Sequence, residues 1–179
     1  MELSMSSHAL DRWLFGKLPA LGDFVSRGLD MTMRDRLDTW LSAQMEAARA
    51  RWSDDFEARY DAAPAWTFVD RDADGNWCGG ALCASMDRAG RRFPLVAAAP
   101  AVDAEQAAAT SAAWVDAMYQ GFAEGWDADA LIAAPLSPAA LPWHPGQPEW
   151  ALVGEAGPAV SLPGSYPAGV LDKMLEFAA

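Results

Sequence analysis

Three stretches decide the fold: Ala65-Trp-Thr-Phe-Val-Asp70, Asn76-Trp-Cys-Gly-Gly-Ala-Leu-Cys-Ala-Ser-Met86 and Arg92-Phe-Pro-Leu-Val-Ala-Ala-Ala99. In the first, Trp66 and Phe68 alternate with Thr67 and Val69, the period of a strand. Asp72-Ala-Asp-Gly-Asn76 separates it from the second, and Asp-Gly and Gly-Asn supply the positive-φ residues of a hairpin turn. Asp87-Arg-Ala-Gly-Arg91 is an equally short link to the third. Three consecutive strands joined by tight turns predict an antiparallel meander. Trp150–Val153 and Ala159–Leu162 add two candidate edge strands.

Helical patterns flank the meander. Over 31–50, Met33, Leu37, Trp40, Leu41, Met45 and Ala48 share one helical face. A short helix over 54–62 follows Ser53 as N-cap. A third, 104–124, follows Asp103 with Gln106 three residues on, a capping-box spacing, and Gly125 stops it. A fourth covers 167–177. Helices on both sides of a run of strands predict an α/β fold, a sheet covered by helices. The Pro-rich stretch 135–167 carries Leu141, Trp143, Trp150, Leu152 and Val153, so it reads as an ordered crossover within one domain spanning 1–179.

The 179 residues carry 13 Lys and Arg against 25 Asp and Glu, a net charge of −12. Residues 1–99 are net −3 and residues 100–179 net −9, with Lys173 the only base in the second part. A general nucleic-acid or anionic-lipid surface is excluded by that balance, because both need a basic face. Two cysteines fit a reduced compartment and make no disulfide framework. The opening MELSMSSHALDRW lacks a basic and apolar leader pattern, and no apolar run approaches ~20 residues, so a cytoplasmic location is expected.

Candidate chemical sites are sparse. Asp70-x-Asp72-x-Asp74-Gly75 copies the first half of a calcium loop, but its twelfth position is Ala81 instead of a bidentate Glu, so a hairpin turn is expected. Cys78 and Cys83, five apart, fall on opposite faces of a strand. His8 and His144 are the only histidines. A hydrolase using Ser85 or Cys83 with His144 is the alternative from another class, yet neither G-x-S-x-G, H-E-x-x-H, a P-loop nor a dinucleotide fingerprint occurs. No cofactor is expected. Among the tryptophans, Trp13, Trp40, Trp52 and Trp66 read as core, and Trp143 and Trp150 as partner contacts.

Two segments interleave charge and glycine with apolar residues: Phe15-Gly-Lys-Leu-Pro-Ala-Leu-Gly-Asp-Phe24, continued by Val25-Ser-Arg27, and Ser85-Met-Asp-Arg-Ala-Gly-Arg-Arg-Phe-Pro94. Gly16, Gly22 and Gly90 suggest special backbone angles. Two readings stand side by side. Asp23 and Asp87 pair with the arginines and brace loops, or the segments form a protein-recognition surface, for which arginine is suited. In the second case the segments should meet in the fold, and the contact residues are Lys17, Leu18, Asp23, Phe24, Arg27, Asp87, Arg88, Arg91 and Arg92.

The same segments carry a resemblance. Phe15–Val25 matches the F-G-K-L-P-x-x-G-D-F-V motif of the type VI secretion-associated TagF family. The stretch ending in Trp40-Leu41 resembles that family's amphipathic helix with its W-x-x-W-L type signature. Pro64, Trp66 and Phe68 match P-x-W-x-F. Ser85, Asp87, Gly90, Arg91, Phe93 and Pro94 match S-x-D-x-x-G-R-x-F-P. Ala84 stands where the family tends to have Pro. The likeness spans roughly residues 13–100, and residues 100–179 are not diagnostic. It implies a three-layer α-β-α sandwich around a mixed, largely antiparallel sheet. It also implies a repressor of the secretion machine that binds the forkhead-associated scaffold protein, with no catalytic residues. An assembly or structural factor of the same machine is the neighbouring alternative.

Overall fold

Alternation and capping place most elements where the sequence predicts them. The structure, a computed structural model, describes residues 12–178; His8 and most of the opening segment lie outside the described residues. The meander is present as β3 (Trp66–Arg71), β4 (Trp77–Cys83) and β5 (Leu95–Pro100). It sits at the middle of a seven-stranded sheet. β1 (Trp13–Lys17) pairs with β5, and β2 (Phe24–Arg27) lies outside β1. On the other side β6 (Glu149–Gly154) pairs with β3, and β7 (Gly157–Pro163) closes that edge. The order is β2-β1-β5-β4-β3-β6-β7. Every pairing is antiparallel, which corrects the expectation of a mixed sheet and leaves the α/β class intact.

The long helices follow from their caps. α1 (Met31–Trp52) begins at Asp30, whose carboxylate accepts from the Met33 amide at 2.8 Å. It buries Leu37, Leu41, Met45 and Ala48, one helical stripe. A 3-10 turn at Ser53–Asp55 leads into α2 (Phe56–Asp61), where a single helix over 54–62 is expected. α3 (Ala104–Glu124) is capped by Asp103, which accepts from the Gln106 amide, and Gln106 accepts from the Val102 amide. The short α4 (Ala128–Ile132), capped by Asp127, has no counterpart in the sequence reading. α5 (Val170–Glu176) occupies the core of the predicted 167–177 helix.

Both faces of the central strands are apolar, so those strands divide their side chains between two clusters. Phe15, Phe68, Leu82, Val96 and Ala98 pack with residues of α1, α2 and α5. Leu14, Ala81, Cys83, Leu95 and Ala97 pack with Trp114 and Met118 of α3 and Leu131 of α4. The second face is lined by small residues because α3 lies close to β4. A Cβ on Gly79 would collide with the Ala107 carbonyl of α3.

Trp66 is fully buried and donates its indole N–H to the Val170 carbonyl at 2.9 Å. Trp13, Trp40 and Trp52 pack half-buried against the same cluster. Trp143 and Trp150 are not partner contacts. Trp150 is 3% exposed, stacks on Phe68 at 4.3 Å and meets Trp40 edge-on. Trp143 is buried beside Val69, Ala107 and Ala151, and its N–H reaches Glu149. Non-local pairing of β6 with β3 puts them inside.

Candidate partner-binding surface

The loop joining β4 to β5 is built around Asp87. Its side chain has no exposed surface. Oδ1 accepts from the amides of Ala89 and Arg91, each at 3.0 Å. Oδ2 accepts from Lys17 Nζ at 2.9 Å and Arg91 Nε at 2.7 Å. The turn closes through Gly90 at φ 81°, whose amide donates to the Asp87 carbonyl. Burial pushes the Asp87 carboxyl up, but the hydrogen bonds from Lys17 and Arg91 outweigh it and hold the group well below the usual carboxylate range.

The loop between β1 and β2 is tied to this hub. Lys17, at the end of β1, supplies the buried ammonium. The Arg88 amide donates to the Leu21 carbonyl at 2.8 Å, and Arg91 Nη2 to the Gly22 carbonyl at 2.9 Å. Ser85 Oγ donates to the Lys17 carbonyl at 2.7 Å. The two sequence segments therefore meet, as expected. From the third side, Tyr60 of α2 donates its hydroxyl proton to the Ser85 carbonyl and accepts from the Ser85 amide. Nothing in the local sequence marks Tyr60, since its role depends on a loop 25 residues away.

The nine expected contact residues separate into distinct groups. Lys17 and Asp87 form a buried ion pair, and Leu18 is fully buried in the α3 cluster. Leu18 offers no surface to a partner. Arg92 grips Asp61 with Nε and Nη2, at 2.8 and 2.7 Å, and adds Glu57 at 3.1 Å. Its side chain is only 19% exposed. Charge reversal at Arg92 would thus strike α2 docking before it struck binding. Arg27 ties β2 to α4 through Asp129 at 2.7 Å, in solvent.

Asp23, Phe24, Arg88 and Arg91 face outward. Asp23 accepts from the Phe24 amide and, among the described residues, pairs with no arginine. Phe24 is 46% exposed, with its ring edge-on to Phe93 at 4.8 Å and stacked on Phe15 at 6.0 Å. Lys17 Nζ lies 5.0 Å from its centroid. Gly16 and Gly90 have positive φ as expected, whereas Gly22 does not.

The Ser85 hydroxyl proton is committed to a backbone carbonyl. Cys83 is wholly buried, and burial pushes its thiol up to about 12. His144 is exposed on the connection before β6. Asp72 accepts from the amides of Asp74 and Asn76, forming the hairpin turn that the sequence predicts. No helix among the described residues is long and apolar enough to cross a membrane.

Comparison with known proteins adds the family. The crystal structure of PA0076 from Pseudomonas aeruginosa PAO1 is similar in fold, with a TM-score of 0.66 and 22% identity, over 92% of this chain and 94% of that one. No curated protein matches the chain. The family model described as the TagF N-terminal domain, type VI secretion system-associated, matches residues 13–135. Those residues contain both braced loops, the meander and α3, and on that match the chain belongs to the TagF N-terminal domain family and is linked to type VI secretion.

Proposed function

We propose that this protein is a cytoplasmic, post-translational repressor of a type VI secretion system, acting by binding the forkhead-associated scaffold protein. Membership of the family carries the link to secretion. The braced loop pair supplies the means of contact. A buried ion pair fixes two loops, and the fixed loops present Asp23, Phe24, Arg88 and Arg91 on one surface. Preorganised loops lose little entropy on association. We read the helices over the two sheet faces as a three-layer α-β-α platform for that surface.

The hydrolase alternative finds no support in how Ser85 and Cys83 are used. The test of the repressor reading is a pair of measurements. Purified protein should capture the forkhead-associated scaffold from the cytosol of secretion-competent cells, and deleting its gene should raise secretion. Reduced secretion on deletion would favour an assembly factor, and failure to bind the scaffold would remove the partner.

A further inference from the structure

Gly22 is a glycine that its surroundings do not require. Its φ lies outside the left-handed region, and a Cβ there would meet only Arg88 Nη2, at an ordinary 3.8 Å. Two guanidiniums converge on this bare position. Arg91 Nη2 donates to the Gly22 carbonyl at 2.9 Å, and Arg88 Nη2 lies beside the missing side chain. Any larger residue would stand in front of them.

Their charge is not used up. One carboxylate, Asp87, serves both Lys17 and Arg91. Among the described residues the Arg88 side chain makes no hydrogen bond or ion pair, so its N–H donors are open. Among the described residues, Asp87 is the one carboxylate paired with Lys17, Arg88 or Arg91, so three cations share one anion on a chain of net charge −12. Two residues along, the Phe24 ring is half-exposed and rigidly backed by Phe15 and Phe93.

We propose that Gly22, Arg88 and Arg91 form a cradle for a carboxylate side chain of a protein partner, with Phe24 receiving the apolar residue beside it. The inference rests on the scaffold-binding reading and names where and through what chemistry that binding occurs. A planar carboxylate matches the guanidinium fork. An exposed aromatic flanked by arginine is the composition of an interface hot spot. A chain of net charge −12 is too acidic for a polyanion such as nucleic acid or an anionic membrane.

The experiment titrates the purified forkhead-associated scaffold against wild type, Gly22→Leu and Arg88→Glu by calorimetry, with a thermal melt of each. Both variants should melt as wild type does, and both should raise Kd at least ~10-fold, the scale of losing a charged anchor. Wild-type binding that neither variant weakens overturns the cradle and leaves the repressor reading standing. No binding by wild type removes that reading, and the cradle with it. Binding that disappears when the scaffold is phosphatase-treated, or Arg88-dependent binding to vesicles of 30% phosphatidylserine, would show that phosphate is what the arginines recognise, and overturns the carboxylate proposal.

Discussion

Replacing Tyr60 with Phe removes one oxygen from the junction between α2 and the Asp87 loop. The ring stays, so no cavity opens. The lost hydroxyl donated to the Ser85 carbonyl at 3.0 Å and accepted from the Ser85 amide at 3.1 Å. The carbonyl keeps a second donor, the Phe93 amide at 3.1 Å. The Ser85 N–H is therefore left buried without its acceptor. Orphaning such a donor costs about 1–3 kcal/mol, and relief of the hydroxyl's own burial trims that, so about 2 kcal/mol is expected. For a chain of this length each kcal/mol lowers Tm by ~2–4 °C, giving a drop of ~4–8 °C. Urea unfolding followed by tryptophan fluorescence measures it. The midpoint should fall with an unchanged slope, because the surface exposed on unfolding is the same. Hydrogen exchange at the Ser85 amide should quicken in the folded variant. A loss below ~0.5 kcal/mol, within the range of neutral surface changes, would refute the claim that α2 holds the loop.

Three further outcomes are expected. Burial raises all three tyrosines, with Tyr119 pushed up to about 12. Their stabilising contribution is complete below the unfolded value of ~10 and is lost as pH rises through the folded values. Absorbance at 295 nm should then show Tyr60 and Tyr119 ionising only well above pH 10 in the native protein, and a normal three-tyrosine step at pH 10 would contradict the packing. Burial also pushes Cys78 and Cys83 up to about 12, so at pH 8 only ~1 in 10,000 of each is thiolate. Ellman's reagent should react with neither thiol until denaturant is added, and one fast native thiol would revive a nucleophilic role. Asp87 lies below its ordinary 3.8, so its contribution is complete above that value and is lost as pH falls toward the folded one. The stability gap between wild type and Asp87→Asn should hold from pH 7 to 5 and narrow in acid; a pH-independent gap would mean that the charge is not what Asp87 supplies.

The sequence shows an element clearly where one local signal identifies it. Alternation at Trp66 and Phe68, and the turn residues Asp74-Gly75, reveal the meander. Asp30 and Asp103 cap helices whose apolar stripes are evident. β1 escapes because it lies between β2 and β5 and is buried on both faces, so the adjacent Leu14 and Phe15 are both apolar and show no alternation. β6 is foreshadowed only by four residues, and the burial of Trp150 comes from a strand more than 80 positions away. At the surface, the meeting of the two segments is legible in their glycines and arginines. Which members turn inward is not, because the burial of Lys17 depends on Asp87, 70 residues further on.

The two meeting segments and the α2 residue that holds them contain two kinds of residue. Lys17, Ser85, Asp87 and Tyr60 are consumed in holding two loops together, and each has its hydrogen bonds inside the protein. The side-chain positions of Gly22 and Arg88 hold no part of the described fold together, and Phe24 packs only part of its ring on Phe15 and Phe93. Gly22 has unstrained φ and open space, Phe24 leaves 46% of its surface in water, and the Arg88 side chain has no partner among the described residues. Exposing an aromatic ring gains nothing for the isolated chain, and an unpaired guanidinium beside an already cationic hub is disfavoured by repulsion. A brace alone needs neither. Residues of the first kind should therefore respond to substitution in melting temperature, and residues of the second kind in partner affinity. Arg91 belongs to both, because Nε holds Asp87 while Nη2 reaches Gly22, and its replacement should move both readouts together.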